Sequence, residues 1–132
     1  VDIVPARKYK DPFGRLWYNV KKSADYGPKG YAGQKKLKPN YKPKRVDFDA
    51  DDLKDIFYNK QGGRCYWLDI PLDPEWTNES WHPLALSVDR IRCGEDYTKD
   101  NIVICSRMSN VGRSKYNEDK FKEVISYIKA NL

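Results

Sequence analysis

Residues 84–115 read LALSVDRIRCGEDYTKDNIVICSRMSNVGRSK. The alternation from Leu84 to Val88 predicts a β-strand, the run from Gly94 to Asp100 a polar loop, and Ile102-Val103-Ile104-Cys105 a second short strand. A helix is predicted from near Ser106 through Arg113. Asp89 and Arg90 close the first strand, Asn101 opens the second, and Asn110 lies about one turn into the helix. A tight antiparallel pair with a helix laid across it would bring Asp89 and Asn110 to one place. Two oxygen donors from different elements, with other positions left to water and phosphate, suit a hard divalent cation, Mg²⁺ foremost with Mn²⁺ as the alternative. Arg90, Arg107, Arg113 and Lys115 cluster around these donors in sequence. Phosphodiester cleavage needs both such an ion and fixed positive charge near the phosphate.

The flanks are read from the same signals. Cys65-Tyr66-Trp67-Leu68 predicts a short strand or turn. Asp49, followed by acids that suit a helix N-terminus, predicts a cap for a helix over residues 50–60, with Leu53, Ile56 and Phe57 on one face and Gly62-Gly63 as the stop. Asn117 predicts the cap of a closing helix that carries Phe121, Val124, Ile125 and Ile128 on one side. Residues 1–45 show no sustained period. Pro5, Pro12, Pro28, Pro39 and Pro43 alternate with Gly14, Gly27, Gly30 and Gly33, which predicts turns and loops, with Leu16 to Val20 as a short strand or a helical turn.

The charge is uneven along the chain. Its 132 residues carry a formal net charge of +6, but residues 1–45 hold thirteen Lys/Arg against three Asp/Glu, and the rest twelve against sixteen. A basic, aromatic-rich arm on a mildly acidic body fits a polyanion partner, although a solubilising tail has the same charge. No apolar run has the length of a membrane span and no charged-apolar-small leader opens the chain, so a soluble, cytoplasmic protein is expected. Three cysteines without a C-x-x-C pair argue against a disulfide framework and against a complete zinc site.

The runs QGGRCYWLDIPL (61–72) and residues 84–115 together resemble the HNH, or ββα-metal, nucleases, above all small phage-type and homing-type members with a pattern near Q-x-G-x-C … S-x-D-R-I … G-Y … D-N-x-x-x-V … N-x-x-K. The likeness covers roughly residues 47–126. It implies that Asp89 and Asn110 are the metal ligands, and that Asn101 holds the loop so that the residue after Asp89 faces the scissile phosphate. Two departures matter. Most members have Asp-His where this chain has Asp89-Arg90, and Arg cannot act as the general base because it stays protonated. A minority of the family, a rare-cutting restriction enzyme among them, shares Asp-Arg. The structural zinc of many members is lost as well, since Leu68, Ser106 and Ser109 stand with Cys65 at the four ligand positions.

The base has three candidates. His82, the only histidine, has the right ordinary pKa but lies seven residues before Asp89, roughly 20 Å away along an extended strand. Tyr66 is the second, with a core aromatic as its bland alternative. A metal-bound water or bulk hydroxide without any side-chain base is the third. The expectation is an α+β fold: a ββα-metal core with flanking helices over residues 46–132 and a loop-rich, DNA-contacting arm over 1–45. The expected activity is metal-dependent cleavage of double-stranded DNA, with Arg90 stabilising charge on the phosphate. Arg7, Lys8, Lys10, Lys21, Lys22, Lys35 and Lys36 of the arm, with Arg107, Arg113 and Lys115, are the expected DNA contacts. The competing reading is a nucleic-acid-binding module that keeps the fold without catalysis.

Overall fold

The computed structural model describes residues 11–27, 41–79 and 81–132, and over these the protein is mixed α+β. Helix α1 (Pro12–Tyr26) opens with Asp11, whose side chain accepts from Phe13 N, and with Pro12 in the first turn, where a missing N–H leaves no bond unmade. Phe13, Leu16, Val20 and Ala24 recur at helical spacing and all four are buried. Gly27 ends the helix at φ +91, with the Tyr41 ring 3.4 Å from where a Cβ would stand. Over residues 11–27 this corrects the expectation of a loop-rich arm. Pro12 counts as a breaker by composition, but Asp-Pro at a helix start is a cap followed by a favoured first residue. The apolar face of α1 belongs to the same core as Phe48, Leu53 and Phe57, and the Trp17 indole N–H is bonded to Phe48 O at 2.8 Å.

Helix α2 (Ala50–Asp55) begins at the predicted cap, Asp49, which forms a reciprocal capping box with Asp52. It widens into a π-helical turn over Ile56–Lys60 and stops at Gly62 and Gly63, both at positive φ. A tight reversal follows, with Cys65 N–H bonded to Ile70 O at 2.8 Å, and then a 3₁₀ turn over Pro74–Asn78. Strands β1 (Leu86–Arg90) and β2 (Ile102–Ser106) pair antiparallel, with Asp89 opposite Val103 and Leu86 opposite Ser106. Every residue of β2 is buried, because its outer edge is covered too. Tyr66 N–H reaches Ile104 O at 3.0 Å, and the Gln61 amide bonds both Ile104 N–H and Ile104 O, at 2.9 and 2.7 Å. A side-chain amide thus takes the place of a third strand.

The chain turns from β2 directly into α3 (Arg107–Arg113), capped by Ser106. Helix α4 (Glu118–Ala130), capped by Asn117, closes the described chain. Its predicted apolar face is only partly used: Phe121 is in the core, while Val124 and Ile128 are 42% and 47% exposed. No helix among the described residues is long and apolar enough to cross a membrane.

Candidate functional site

A cleft of about 310 Å³ runs along the edge of β1 that does not pair with β2, between α1 and α3. Asn19 and Ser23 come from α1, Ser87, Asp89 and Arg90 from β1, and Arg107 and Asn110 from α3, with Tyr97 at one end. The strand–loop–strand–helix order therefore does bring Asp89 and Asn110 onto one surface.

Asp89 is buried, and two buried donors converge on one of its oxygens. Trp67 Nε1 donates to Oδ2 at 3.0 Å and Arg113 Nη1 at 3.1 Å. Oδ1 takes neither bond. Burial pushes the carboxyl above the ordinary aspartate range, and the Arg113 charge, the hydrogen bonds from Arg113 and Trp67 and one from the Arg90 backbone oppose it without cancelling it. Asn110 is fixed the same way. Its Nδ2 donates to Ser87 Oγ at 2.7 Å and to Val88 O at 3.2 Å, which sets the amide orientation and leaves the carbonyl Oδ1 outside both contacts. The site thus brings a carboxylate from β1 and an amide from α3 to one cleft, both of them hard oxygen donors. Among the described residues no group of three or more His, Cys, Asp or Glu side chains is placed to hold a metal ion. A cation that keeps several waters and takes one or two protein oxygens with substrate phosphates is the kind these two donors fit.

Arg113 differs from its expected role. It is 1% exposed, and besides Asp89 its guanidinium bonds the carbonyls of Arg90, Ile91 and Tyr116 while lying 5.0 Å from the Trp67 ring centroid. Its donors are spent inside the protein, so it positions Asp89 and the strand end and does not present a phosphate contact. Arg90 does line the cleft. Its Nη1 donates to Glu95 O at 2.8 Å and its guanidinium stacks 4.4 Å from the Tyr97 ring centroid, which orients the side chain while leaving it partly exposed. Asn101 is fully buried. It accepts from Arg92 N at 2.8 Å and donates to Arg92 O and Asp96 O at 3.3 and 3.0 Å, closing the loop that follows Arg90.

Neither side-chain base candidate lines the cleft. His82 lies before β1 begins, its imidazole stacked on Trp76 at 4.7 Å and its Nδ1 accepting from Leu84 N at 3.0 Å. Tyr66 lies across the sheet, on the outer edge of β2. Its hydroxyl donates to Glu118 Oε2 at 2.6 Å, and burial together with that bond pushes its pKa up, away from a base's range. The extended geometry of β1 separates the first from Asp89, and the width of the hairpin separates the second.

Of the expected DNA contacts, Arg107 lines the cleft and Lys115 is exposed just past α3. Lys21 and Lys22 are on α1, with the Lys22 ammonium 5.3 Å from the ring centroids of both Tyr18 and Tyr26. Arg7, Lys8, Lys10, Lys35 and Lys36 lie outside the described residues. Cys65 and the two serines come together as well. Cys65 Sγ accepts from Leu68 N at 3.4 Å and Ser106 N at 3.3 Å and sits 3.5 Å from Ser109 Oγ, so hydrogen bonds join the 65–68 turn to the start of α3.

Comparison with protein-family models, characterised proteins and solved structures finds no match to this chain. Its site is therefore read from its own geometry. That geometry adds contacts the sequence does not give: Trp67 and Arg113 on Asp89, Ser87 on Asn110, and Tyr97 under Arg90. A buried tryptophan reads as core in any sequence. Only Ser87, two residues before Asp89 and so on the same face of β1, carries a usable signal.

Proposed function

We propose that the chain is a divalent-metal-dependent DNA endonuclease with an HNH-type, ββα-metal site. The observation that carries the reading is the meeting of Asp89 and Asn110 in a cleft whose walls also hold Arg90 and Arg107. The Asp89 carboxylate and the Asn110 amide oxygen would hold the cation. Such an ion, when bound, stabilises charge on the phosphoryl and leaving oxygens during phosphodiester hydrolysis. Arg90, held by Tyr97 and Glu95 O in the wall of the same cleft, would stabilise the charge that builds on the phosphate. Arg107 binds the neighbouring backbone, and the Asn101-closed loop keeps Arg90 from swinging away. No His, Lys or Glu is among the described residues of the cleft, so in this reading the attacking water is not deprotonated by a side chain there.

The observation that favours the rival, a DNA-binding module without catalysis, is the ion pair that already engages Asp89 with Arg113. One assay separates the two. Purified protein is incubated with supercoiled plasmid and Mg²⁺ or Mn²⁺, with and without chelator, beside Asn110→Ala. Chelator-sensitive nicking that Asn110→Ala loses supports the nuclease. Plasmid that stays supercoiled under every metal condition while still binding the protein returns the chain to the binding module.

A further inference from the structure

We propose that Trp81, with Arg107 set against it, is a stacking platform for an unstacked nucleobase of the bound DNA. The identity of the partner rests on the reading just given. Trp81 is 83% exposed, and its backbone sits at φ +62, a region that bulky side chains rarely adopt. The residues that follow it are tied down. His82 stacks on Trp76 and accepts from Leu84 N, His82 O accepts from Ala85 N at 3.1 Å, and Pro83 O accepts from Met108 N at 2.9 Å. A strained and well-braced turn therefore holds a large apolar ring out in water, against the direction in which burial would drive it.

The ring has a cationic neighbour that also belongs to the cleft. The Arg107 guanidinium lies 5.7 Å from the indole centroid, and Arg107 lines the wall shared with Asp89 and Asn110. Arginine for the backbone beside an aromatic face for a base is how proteins grip nucleic acid whose bases are out of the stack. Arg107 therefore joins the two places, because one side chain both lines the cleft and stands 5.7 Å from the indole ring. A paired base inside an intact duplex hides its face, so the partner is DNA with a base opened near the cut.

Binding is measured by fluorescence anisotropy in the presence of chelator, so that no cleavage is needed. The probes are a labelled single-stranded oligonucleotide, the matching duplex, and the same duplex with one unpaired base. Trp81→Ala should weaken binding to the single-stranded and unpaired-base probes on the order of tenfold, with the intact duplex much less affected and Trp81→Phe restoring most of the loss. The salt slope should not change, because no phosphate contact is removed. Trp81→Gly keeps the readout apart from misfolding. Glycine relieves the backbone at φ +62, so this variant should melt at or above the parent temperature and still bind weakly. Parent-like affinity of Trp81→Ala for both opened probes would overturn the proposal, as would a loss confined to the salt slope. A change from dimer to monomer on sedimentation would overturn it too, assigning Trp81 to a contact between copies. Intact nicking with no binding defect sinks the platform alone. A clear binding defect in a protein that never nicks sinks the nuclease reading alone.

Discussion

Trp67→Phe is the most informative single change at the site. It retains an aromatic ring against Phe121, at 5.3 Å, and beneath the Arg113 guanidinium, at 5.0 Å. It removes the indole N–H that donates to Asp89 Oδ2. A hydrogen bond to a charged, buried acceptor contributes about 1.5–3 kcal/mol. Arg113 stays on the same oxygen, so the lower end applies, and the smaller ring adds a packing loss of about 1 kcal/mol. We expect the protein to lose about 2–3 kcal/mol of stability and remain folded. The other donor offers no such test, because removing Arg113 leaves a buried charge unpaired at a cost of about 3–5 kcal/mol. With its carboxylate less firmly held, the variant should bind Mn²⁺ about tenfold more weakly, the low end for partners that orient a ligand. Calorimetric Mn²⁺ titration and the metal dependence of plasmid nicking both read this. The pH profile gives an independent sign. Burial raises the Asp89 carboxyl in the fold, so its contribution to stability is greatest below the unfolded pKa and is lost as pH rises through the folded value. Cation binding needs the ionised form and is lost in the opposite direction, as pH falls through that value. The acid limb of metal-supported activity should therefore lie above the ordinary aspartate range near 4, and Trp67→Phe should move it higher still. A destabilised variant with parent-like Mn²⁺ affinity and an unmoved acid limb would mean that Trp67 only packs.

Arg90→Ala should lower kcat on the order of 10²–10³-fold with little change in DNA affinity, since a charge aimed at the transition state acts mainly there; single-turnover kinetics beside a binding curve check both halves. His82→Ala and Tyr66→Phe should cleave at near the parent rate at every pH, and a variant of either that erased a titration near neutrality would restore that residue as the base. Tyr66→Phe should instead lose about 1 kcal/mol of stability, because the Tyr66 hydroxyl links the 65–68 turn to Glu118 of α4. That bond, followed by Lys122, holds the Glu118 carboxyl below its usual range; its stabilisation is present above the unfolded pKa and fades as pH falls through the lower folded one, so the parent–variant difference in chemical denaturation should shrink in acid. Leu16→Ala should cost about 2–5 kcal/mol, as for a buried leucine, whereas a melting temperature equal to the parent's would return α1 to the status of a detached arm.

The sequence by itself determined the elements whose signals are local. Asp49 with Asp52, Asn117, the Gly62-Gly63 stop and the β-branched run at 102–105 each act within a few residues, so the helices near 50–60 and 118–130 and the hairpin entering α3 were all legible. That Asp89 and Asn110 would line one cleft was legible too, because a hairpin followed at once by a helix leaves those positions few places to go. Helix α1 was not. Its start looks like a break to any reading that counts prolines, and its apolar face makes sense only beside Phe48, Leu53 and Phe57. Tertiary structure alone decided what braces the site. Arg113 reads from the chain as one more surface cation. It becomes the brace of Asp89 only because the fold buries it among four acceptors and an indole ring, where a guanidinium must satisfy its donors inside the protein. Trp67 and Trp81 make the same point in opposite directions. Trp67 stands in the apolar run Cys65–Leu68 and Trp81 between Ser80 and His82, but no local signal says that the first spends its N–H on a buried carboxylate or that the second is held out to solvent. Burial depends on which distant elements pack over a turn, and no short-range pattern carries that information.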